Sequence, residues 1–274
     1  MKQRFKAVVS YDGFDYAGWQ IQPADRGATI QQTIQDVISA ICQTPISITG
    51  SGRTDAQVHA WGQVFHFDVD FSLSAFQWKR AMNGHLPKDI HIRSVEAVDP
   101  HFHARFDAIG KRYDYRIQLG EANVFTLRYA FQSPWSLDVL TMREAAACLV
   151  GEHDFSSFCA NTHAELPDQV RTITRLELVE EPGQLRLIYE GNGFMRYMVR
   201  MITGTLIEVG RGRLAPAEVS RMLEARDKQI CHFNAKPQGL TLMEVYYPPQ
   251  PEAGLKDSLK ENADSVFPEI FIRK

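Results

Sequence analysis

The chain has 274 residues, 44% hydrophobic and 23% charged, which is typical of one large or two ordinary globular domains. A net charge of −3 argues against a protein that binds nucleic acid over its whole surface, but it allows a local basic groove. Because the sequence shows no membrane-spanning apolar run, no signal-peptide core and no clustering of its four cysteines, we expect a cytoplasmic protein without a membrane partner.

The first half of the chain alternates the period of strands with the period of helices. Thr29 and Gln32 have capping-box spacing, so a helix is expected to begin there, and a second helix offers Phe76 and Trp78 to the core. The resulting order is typical of a split β-α-β half, an antiparallel sheet backed by helices. The predicted elements are a strand over 5–11, a helix over 30–41, strands over 46–49 and 62–69, a helix over 74–83 and a strand over 90–98.

The loop at residues 12–20 contains three aromatic side chains, Phe14, Tyr16 and Trp19. Aromatic residues in loops can stack on unpaired RNA bases. They can equally close the end of a hydrophobic core, and for at least two of the three we favour that interpretation.

The stretch Gly50–Ala60 carries small residues and then Arg53, Asp55 and His59 in quick succession, between two predicted strands. Glycines let a backbone turn sharply and come close to a ligand. A carboxylate presented by a loop on a rigid sheet is a candidate for chemistry. On spacing alone, an ordinary surface Asp–Arg pair remains an equal alternative.

The second half of the chain begins near Ala108 and repeats the alternation of elements. Its first strand, Lys111–Ile117, puts Tyr113 and Tyr115 on one side. Phe194, Met198, Ile202 and Leu206 recur every four residues, which predicts a helix with that face buried and with Arg196, Arg200 and Thr203 on another face. The other predicted elements are a helix over 136–150, strands over 171–179 and 185–189, a helix from Pro216 and a strand over 244–248. We therefore expect domains at 1–107 and 108–248, followed by a polar tail at 249–274.

Basic residues concentrate in two segments, 105–116 and 196–213, with few acidic residues among them. Each could line a groove for RNA, or each could be a solvated face that is basic by chance. Neither a metal nor a cofactor is expected. The histidines at 85, 91, 101 and 103 match no zinc spacing, and phosphate-binding glycine motifs are absent from the sequence.

Several separated motifs resemble the TruA family of tRNA pseudouridine synthases. The segment Gly52–Ala60 resembles the catalytic signature of that family, with Gln57 where the family usually has glycine. Gln57 is expected to fit this loop if its φ is below zero. Further family motifs are matched in order over 12–20, 102–105, 111–115, 151–158, 194–204 and 236–242, so the resemblance extends from Phe5 to Tyr247.

The resemblance implies an α+β fold of two ferredoxin-like halves, with antiparallel sheets joined side by side around a central cleft and helices on the outer face. It implies isomerisation of uridine to pseudouridine in the anticodon stem-loop of tRNA, at positions 38–40, without a cofactor. It also implies a homodimer that holds one tRNA across both subunits.

The same resemblance implies roles for individual residues. Asp55 is the nucleophile, Arg200 pairs with it and stabilises its charge, and Tyr113 lies against the target base. The substrate is contacted by Tyr113 and by the residues Gly52, Arg53, Thr54, His59 and Arg105. The sequence leaves open whether Asp55 attacks covalently or assists elimination at the sugar.

Two hypotheses from other functional classes compete with the isomerase. The first is a non-catalytic tRNA-binding protein of the same fold. The second is a hydrolase that uses Asp55 with His59 as base and releases free uracil or a cleaved product. The extent of the resemblance favours the isomerase over both.

Overall fold

The computed structural model describes residues 2–249, so all but the first residue of the predicted tail at 249–274 lies outside the described residues. Within that range one mixed, mostly antiparallel sheet of ten strands is accompanied by five α-helices, an α+β fold. The strands are β1 (Gln3–Tyr11), β2 (Ile48–Gly50), β3 (His59–Val69), β4 (Ile90–Ala97), β5 (Gly110–Gln118), β6 (Phe131–Gln132), β7 (Gly151–Asp154), β8 (Val170–Glu181), β9 (Gln184–Gly191) and β10 (Leu240–Tyr246). The helices are α1 (Ile30–Cys42), α2 (Ala75–His85), α3 (Val139–Ala147), α4 (Met198–Gly210) and α5 (Pro216–Ala225). None of these helices combines the length and the apolar character needed to cross a membrane.

The strand order brings the two halves of the chain into one sheet. It runs β4-β1-β3-β10-β5-β9-β8-β7, with β2 also paired to β3 and β6 to β5. The halves meet where β3 and β10 pair in parallel, through His59 opposite Thr241 and Ala60 opposite Leu242. The predicted loop Gly50–Ala60 therefore ends inside β3, at the seam of the sheet. The division into two ferredoxin-like halves stays a prediction.

One face of the sheet in the first half packs under the helices. The alternate residues of β1 that the sequence predicted as apolar, from Phe5 to Tyr11, are buried. The Phe5 ring lies 6.1 Å from the ring of Trp78 on α2. The expectation that Phe76 joins this core is wrong, because its side chain is 68% exposed. Two residues correspond to about 200° around a helix, so Phe76 faces away from Trp78.

Both helix starts that the sequence indicated in the first half are present, with one difference in capping. Thr29 accepts a hydrogen bond from the Gln32 amide at 3.3 Å, but the Gln32 side chain donates to Asp36 instead of returning to the cap. The complete capping box lies at α2, where Ser74 and Gln77 bond each other's backbone N–H groups. The capping-box expectation at α1 is therefore half fulfilled.

Two helices of the second half, α3 and α4, begin later than predicted. Helix α3 begins at Val139, and not near residue 136, because Asp138 caps it by accepting hydrogen bonds from the amides of Leu140 and Thr141. Helix α4 begins at Met198, four residues after the expected start at Phe194, because Tyr197 has a φ of 63°. A left-handed residue cannot continue a right-handed helix.

Helix α4 is enclosed almost completely. Thr203, expected on a polar face, is fully buried, and its hydroxyl bonds both Val199 O and the Tyr189 hydroxyl. Gly204 lies against the backbone of residues 233–235, where an added Cβ would be 2.9 Å from Asn234 N. This close approach fixes α4 against the segment that ends at Ala235.

The close approach at Gly204 predicts opposite effects of two glycine-to-alanine changes. Gly204→Ala should lower the free energy of unfolding by about 1–3 kcal/mol, because the backbone of 233–235 must move. Gly84→Ala in α2 is the matched control, since no atom lies within 4 Å of its would-be Cβ. It should raise the same quantity by about 0.5–1 kcal/mol. Denaturant titration measures both, and a neutral Gly204→Ala would contradict the tight packing.

Candidate active site

The loop Ser51–Val58, called the Asp55 loop below, is tied to β3 at its start. The Ser51 amide donates to Val64 O at 2.7 Å, and the Ser51 hydroxyl donates to Gln63 Oε1 at 2.6 Å. The Gln63 amide then donates to Gly52 O at 3.0 Å. The first two residues of the loop are thus held by the strand that the loop enters.

The far side of the Asp55 loop rests on the aromatic loop at residues 12–20. The Trp19 amide donates to Thr54 O at 3.0 Å, and the Gln57 amide donates to Tyr16 O at 3.3 Å. The hydroxyls of Thr54 and Tyr11 share a hydrogen bond of 2.8 Å. Tyr16 and Trp19 are buried, so the core interpretation is right for these two aromatics. Gly52 and Thr54 have clear structural roles, and their predicted substrate contacts stay predictions.

Asp55 forms an ion pair with Arg200 across the seam of the sheet. Arg200 Nη1 donates to Asp55 Oδ2 at 3.0 Å, and the two side chains are 11% and 27% exposed. Arg200 Nε also donates to Ala235 O at 2.9 Å, and its guanidinium lies 4.8 Å from the centre of the Tyr197 ring. Arg200 is therefore oriented from three sides, and the contact that the resemblance implied is present.

The pKa of the Asp55 carboxyl is raised above its ordinary value, because burial outweighs the opposing effects of the hydrogen bond and charge of Arg200 and of the Arg196 charge. Burial disfavours the charged form of an acid, and a nearby cation favours it. The pairing thus only partly offsets burial. Asp55 is a stronger base than a solvent-exposed aspartate.

Tyr113 of β5 completes the group. Its ring packs edge-on against Phe194, with 5.4 Å between the ring centres. Burial raises the pKa of Tyr113, and the charges of Tyr11 and Asp55 raise it further. Tyr113 is therefore a neutral phenol within electrostatic range of the Asp55 carboxylate. The structure brings Asp55, Arg200 and Tyr113 together from three distant parts of the chain.

Gln57 departs from the expectation of a φ below zero, because its φ is 65°. Four non-glycine residues within 2–249 have a positive φ, and two of them, Gln43 and Arg226, end helices, where this conformation is common. The other two, Gln57 and Tyr197, flank the ion pair between the Asp55 loop and α4. Backbone strain is therefore concentrated at the candidate site.

His59 lies in β3 and is 4% exposed. Its Nδ1 is 3.1 Å from the Gly13 amide and 3.1 Å from Asp12 Oδ1, and its Nε2 is 2.7 Å from Arg128 O. Burial lowers the pKa of His59, while the Asp12 charge opposes this shift. A neutral ring that donates from Nε2 to Arg128 O and accepts at Nδ1 from the Gly13 amide satisfies two of these contacts, and in that form Nδ1 does not donate to Asp12. No hydrogen bond within residues 2–249 joins His59 to Asp55, so the hydrolase hypothesis gains no support, and substrate binding by His59 stays a prediction.

The two basic segments are partly neutralised by ion pairs. Arg112 pairs with Asp114, and both Arg211 and Arg213 pair with Glu208. Among the residues predicted to contact the substrate, Arg53 and Arg105 have exposed guanidinium groups without an ion-pair partner in the described part of the chain. These two free charges are available to an anionic ligand, and their predicted contacts with RNA phosphates stay predictions.

Sequence reasoning overlooked one residue at this site, Lys111. Its Nζ donates to Ser51 O at 3.0 Å. Because Lys111 and Tyr113 are two residues apart on β5, strand alternation could have placed both side chains on the same side. Across residues 2–249, no three His, Cys, Asp or Glu side chains are arranged to hold a metal ion.

Known proteins resemble this chain over most of its length. The family described as tRNA pseudouridine synthase matches residues 7–107 and 145–248. A protein of Exiguobacterium sibiricum called tRNA pseudouridine synthase A is 44% identical over 246 residues, 90% of this chain and 97% of that protein. Proteins of the same name from a Geobacillus species and from Bacillus subtilis are 44% and 42% identical, over 90% and 89% of this chain and 99% of each relative.

The strain at Gln57 predicts that Gln57→Gly raises the free energy of unfolding by about 1 kcal/mol, since glycine adopts a positive φ without steric cost. Gln57→Ala is the matched control, because it removes the amide but keeps the Cβ that causes the strain. It should give no comparable gain. Denaturant titration of the three proteins tests this, and equal stabilisation by alanine and glycine would assign the effect to the side chain.

Proposed function

Because the chain belongs to the tRNA pseudouridine synthase family and is an RNA-modifying isomerase, we propose that it converts uridine to pseudouridine in the anticodon stem-loop of tRNA, with Asp55 as the nucleophile. The observation that carries this proposal is the Asp55–Arg200 ion pair, 3.0 Å long and partly open to solvent, beside the phenol of Tyr113. A carboxylate held in one orientation by a guanidinium is suited to attack or to deprotonate a sugar.

The reaction rearranges bonds without adding atoms. The bond from C1′ of the ribose to N1 of uracil breaks, and a bond from C1′ to C5 forms. C5 loses its proton, and N1 gains one. Asp55 can act either by covalent attack at C1′ or by removing a proton from the sugar so that the base is eliminated, and both routes require it to be ionised. No electron acceptor or phosphate donor is needed for this balance.

Tyr113 and the strained segment around Tyr197 form the walls against which the base turns. The Tyr113 hydroxyl is protonated at neutral pH, and burial raises its pKa further, so it can donate a hydrogen bond and offer its ring to the uracil face. The target uridine must leave its stack, which costs a few kcal/mol. Exposed Arg53 and Arg105 can offset part of that cost through contacts with phosphates.

Further properties belong to the same proposal. The two ferredoxin-like halves correspond to residues 1–107 and 108–248 and meet at the pairing of β3 with β10. The enzyme acts in the cytoplasm as a homodimer on positions 38–40 of tRNA. The alternative, a tRNA-binding protein without catalysis, would leave the Asp55–Arg200 pair without a chemical role.

Replacement of Asp55 by asparagine tests the nucleophile. Asp55→Asn should lower the rate of tritium release from tRNA labelled at C5 of uridine by about a thousandfold or more, while tRNA binding persists. Circular dichroism controls for folding. Undiminished release by the variant would refute the assignment to Asp55. Tight binding of tRNA by the wild type with no release would instead support the non-catalytic alternative.

The competition between burial and pairing at Asp55 predicts a pH effect. Arg200 lowers the pKa of Asp55, so Arg200→Gln should raise that pKa and move the acidic limb of the kcat profile to higher pH. Arg196→Gln removes a weaker influence of the same sign and should cause a smaller shift in the same direction. Tritium release measured across pH for the three proteins decides this, and an unmoved limb in Arg200→Gln would show that Asp55 does not set it.

A further inference from the structure

Lys111 of β5 reaches from the second half of the chain to the start of the Asp55 loop. Its Nζ donates to Ser51 O at 3.0 Å. Its ammonium group also occupies the space beside Gly52, where an added Cβ would lie 2.3 Å from Nζ. Any side chain at position 52 would therefore displace the lysine, so the packing of Lys111 explains why this residue is glycine.

The position of Lys111 is unusual for an ammonium group. Burial lowers its pKa to about 8, and the charge of Arg105 contributes to the same shift. Among residues 2–249 no carboxylate forms an ion pair with it, so its described polar partner is a backbone carbonyl. A half-buried cation without a carboxylate is unfavourable for stability, so we attribute its retention to a role at the site.

The geometry makes Lys111 a bridge between two parts of the site. Ser51 and Gly52 are held by β3 through Gln63, whereas Tyr113 belongs to β5. Lys111 and Tyr113 project from the same side of β5. A contact from Lys111 to Ser51 therefore sets how close the Asp55 loop lies to the strand that carries Tyr113.

We propose that Lys111 is a positioning residue that holds the Asp55 loop against β5, so that the Asp55 carboxylate and the Tyr113 ring keep their spacing during the reaction. This inference rests on the proposed function. The competing role is direct contact of Lys111 with an RNA phosphate. The two roles differ in whether loss of the lysine changes kcat or KM.

The test replaces Lys111 by methionine, which keeps the length of the side chain and removes the charge and the donor. Lys111→Met should lower kcat for tRNA by about tenfold to a hundredfold, since a displacement of about 1 Å has effects of that size. KM should change by less than about twofold. Hydrogen exchange of the amides in Ser51–Val58 should become faster.

A matched control is available at Lys228, another half-buried lysine whose Nζ bonds Gln169 Oε1 at 2.7 Å and Ser156 O at 3.3 Å, far along the chain from the Asp55 loop. Lys228→Met should leave kcat and the exchange of Ser51–Val58 unchanged. If Lys111→Met does not fold, Lys111→Gln is measured in the same way, with the same expected directions.

Three results would overturn the proposal. Lys111 would be a phosphate contact if Lys111→Met raised KM, kept kcat and lowered the salt dependence of tRNA binding. The slope of the logarithm of the binding constant against the logarithm of salt concentration would then fall by about 1. Equal losses of kcat in both lysine variants would indicate general loosening. Unchanged kcat and exchange would show that the contact has no role. Hydrogen exchange is measured without the reaction, so it tests the positioning role separately from the chemistry. If Lys111→Met speeds exchange while Asp55→Asn keeps its activity, the positioning role stands and only the proposed chemistry is rejected.

Discussion

The ion pair between Asp55 and Arg200 is the contact on which the site depends. Its carboxylate comes from a loop that enters β3, and its guanidinium comes from the first turn of α4. The pair therefore spans the seam at which β3 and β10 join the two halves of the sheet. Backbone strain lies on both sides of it, at Gln57 and Tyr197. Strain of this kind persists where the surrounding contacts hold it in place.

Burial decides the electrostatics of the cleft. It raises the pKa of Asp55 despite the guanidinium beside it, keeps Tyr113 a neutral phenol and lowers the pKa of His59. The three shifts share their largest cause, the loss of water around the group, which disfavours its charged form. The result combines a carboxylate of increased basicity, a phenol that can donate and a histidine whose nitrogens bind the protein itself.

Much of the fold could be predicted from the sequence because period and capping are local properties. The alternation of Phe5 to Tyr11, the helix starts at Thr29 and Ser74, and Pro216 at the start of α5 all correspond to the observed elements. Some errors occurred where a distant contact intervened. The enclosure of α4 buries Thr203, whose hydroxyl bonds that of Tyr189 on β9. Another error was local, since the left-handed Tyr197 delays the start of that helix.

The sequence by itself determined which residue types are present and in what order, and the resemblance of its motifs to a family made Asp55, Tyr113 and Arg200 candidate site residues. Only the tertiary structure decided the sign of φ at Gln57, the protein partners of His59, the ion pairs of the basic segment 196–213 and the contact of Lys111 with Ser51. The physical reason is that each of these depends on atoms far away in the chain. Periodicity describes neighbours within one element, whereas charge pairing, burial and loop conformation depend on which elements meet.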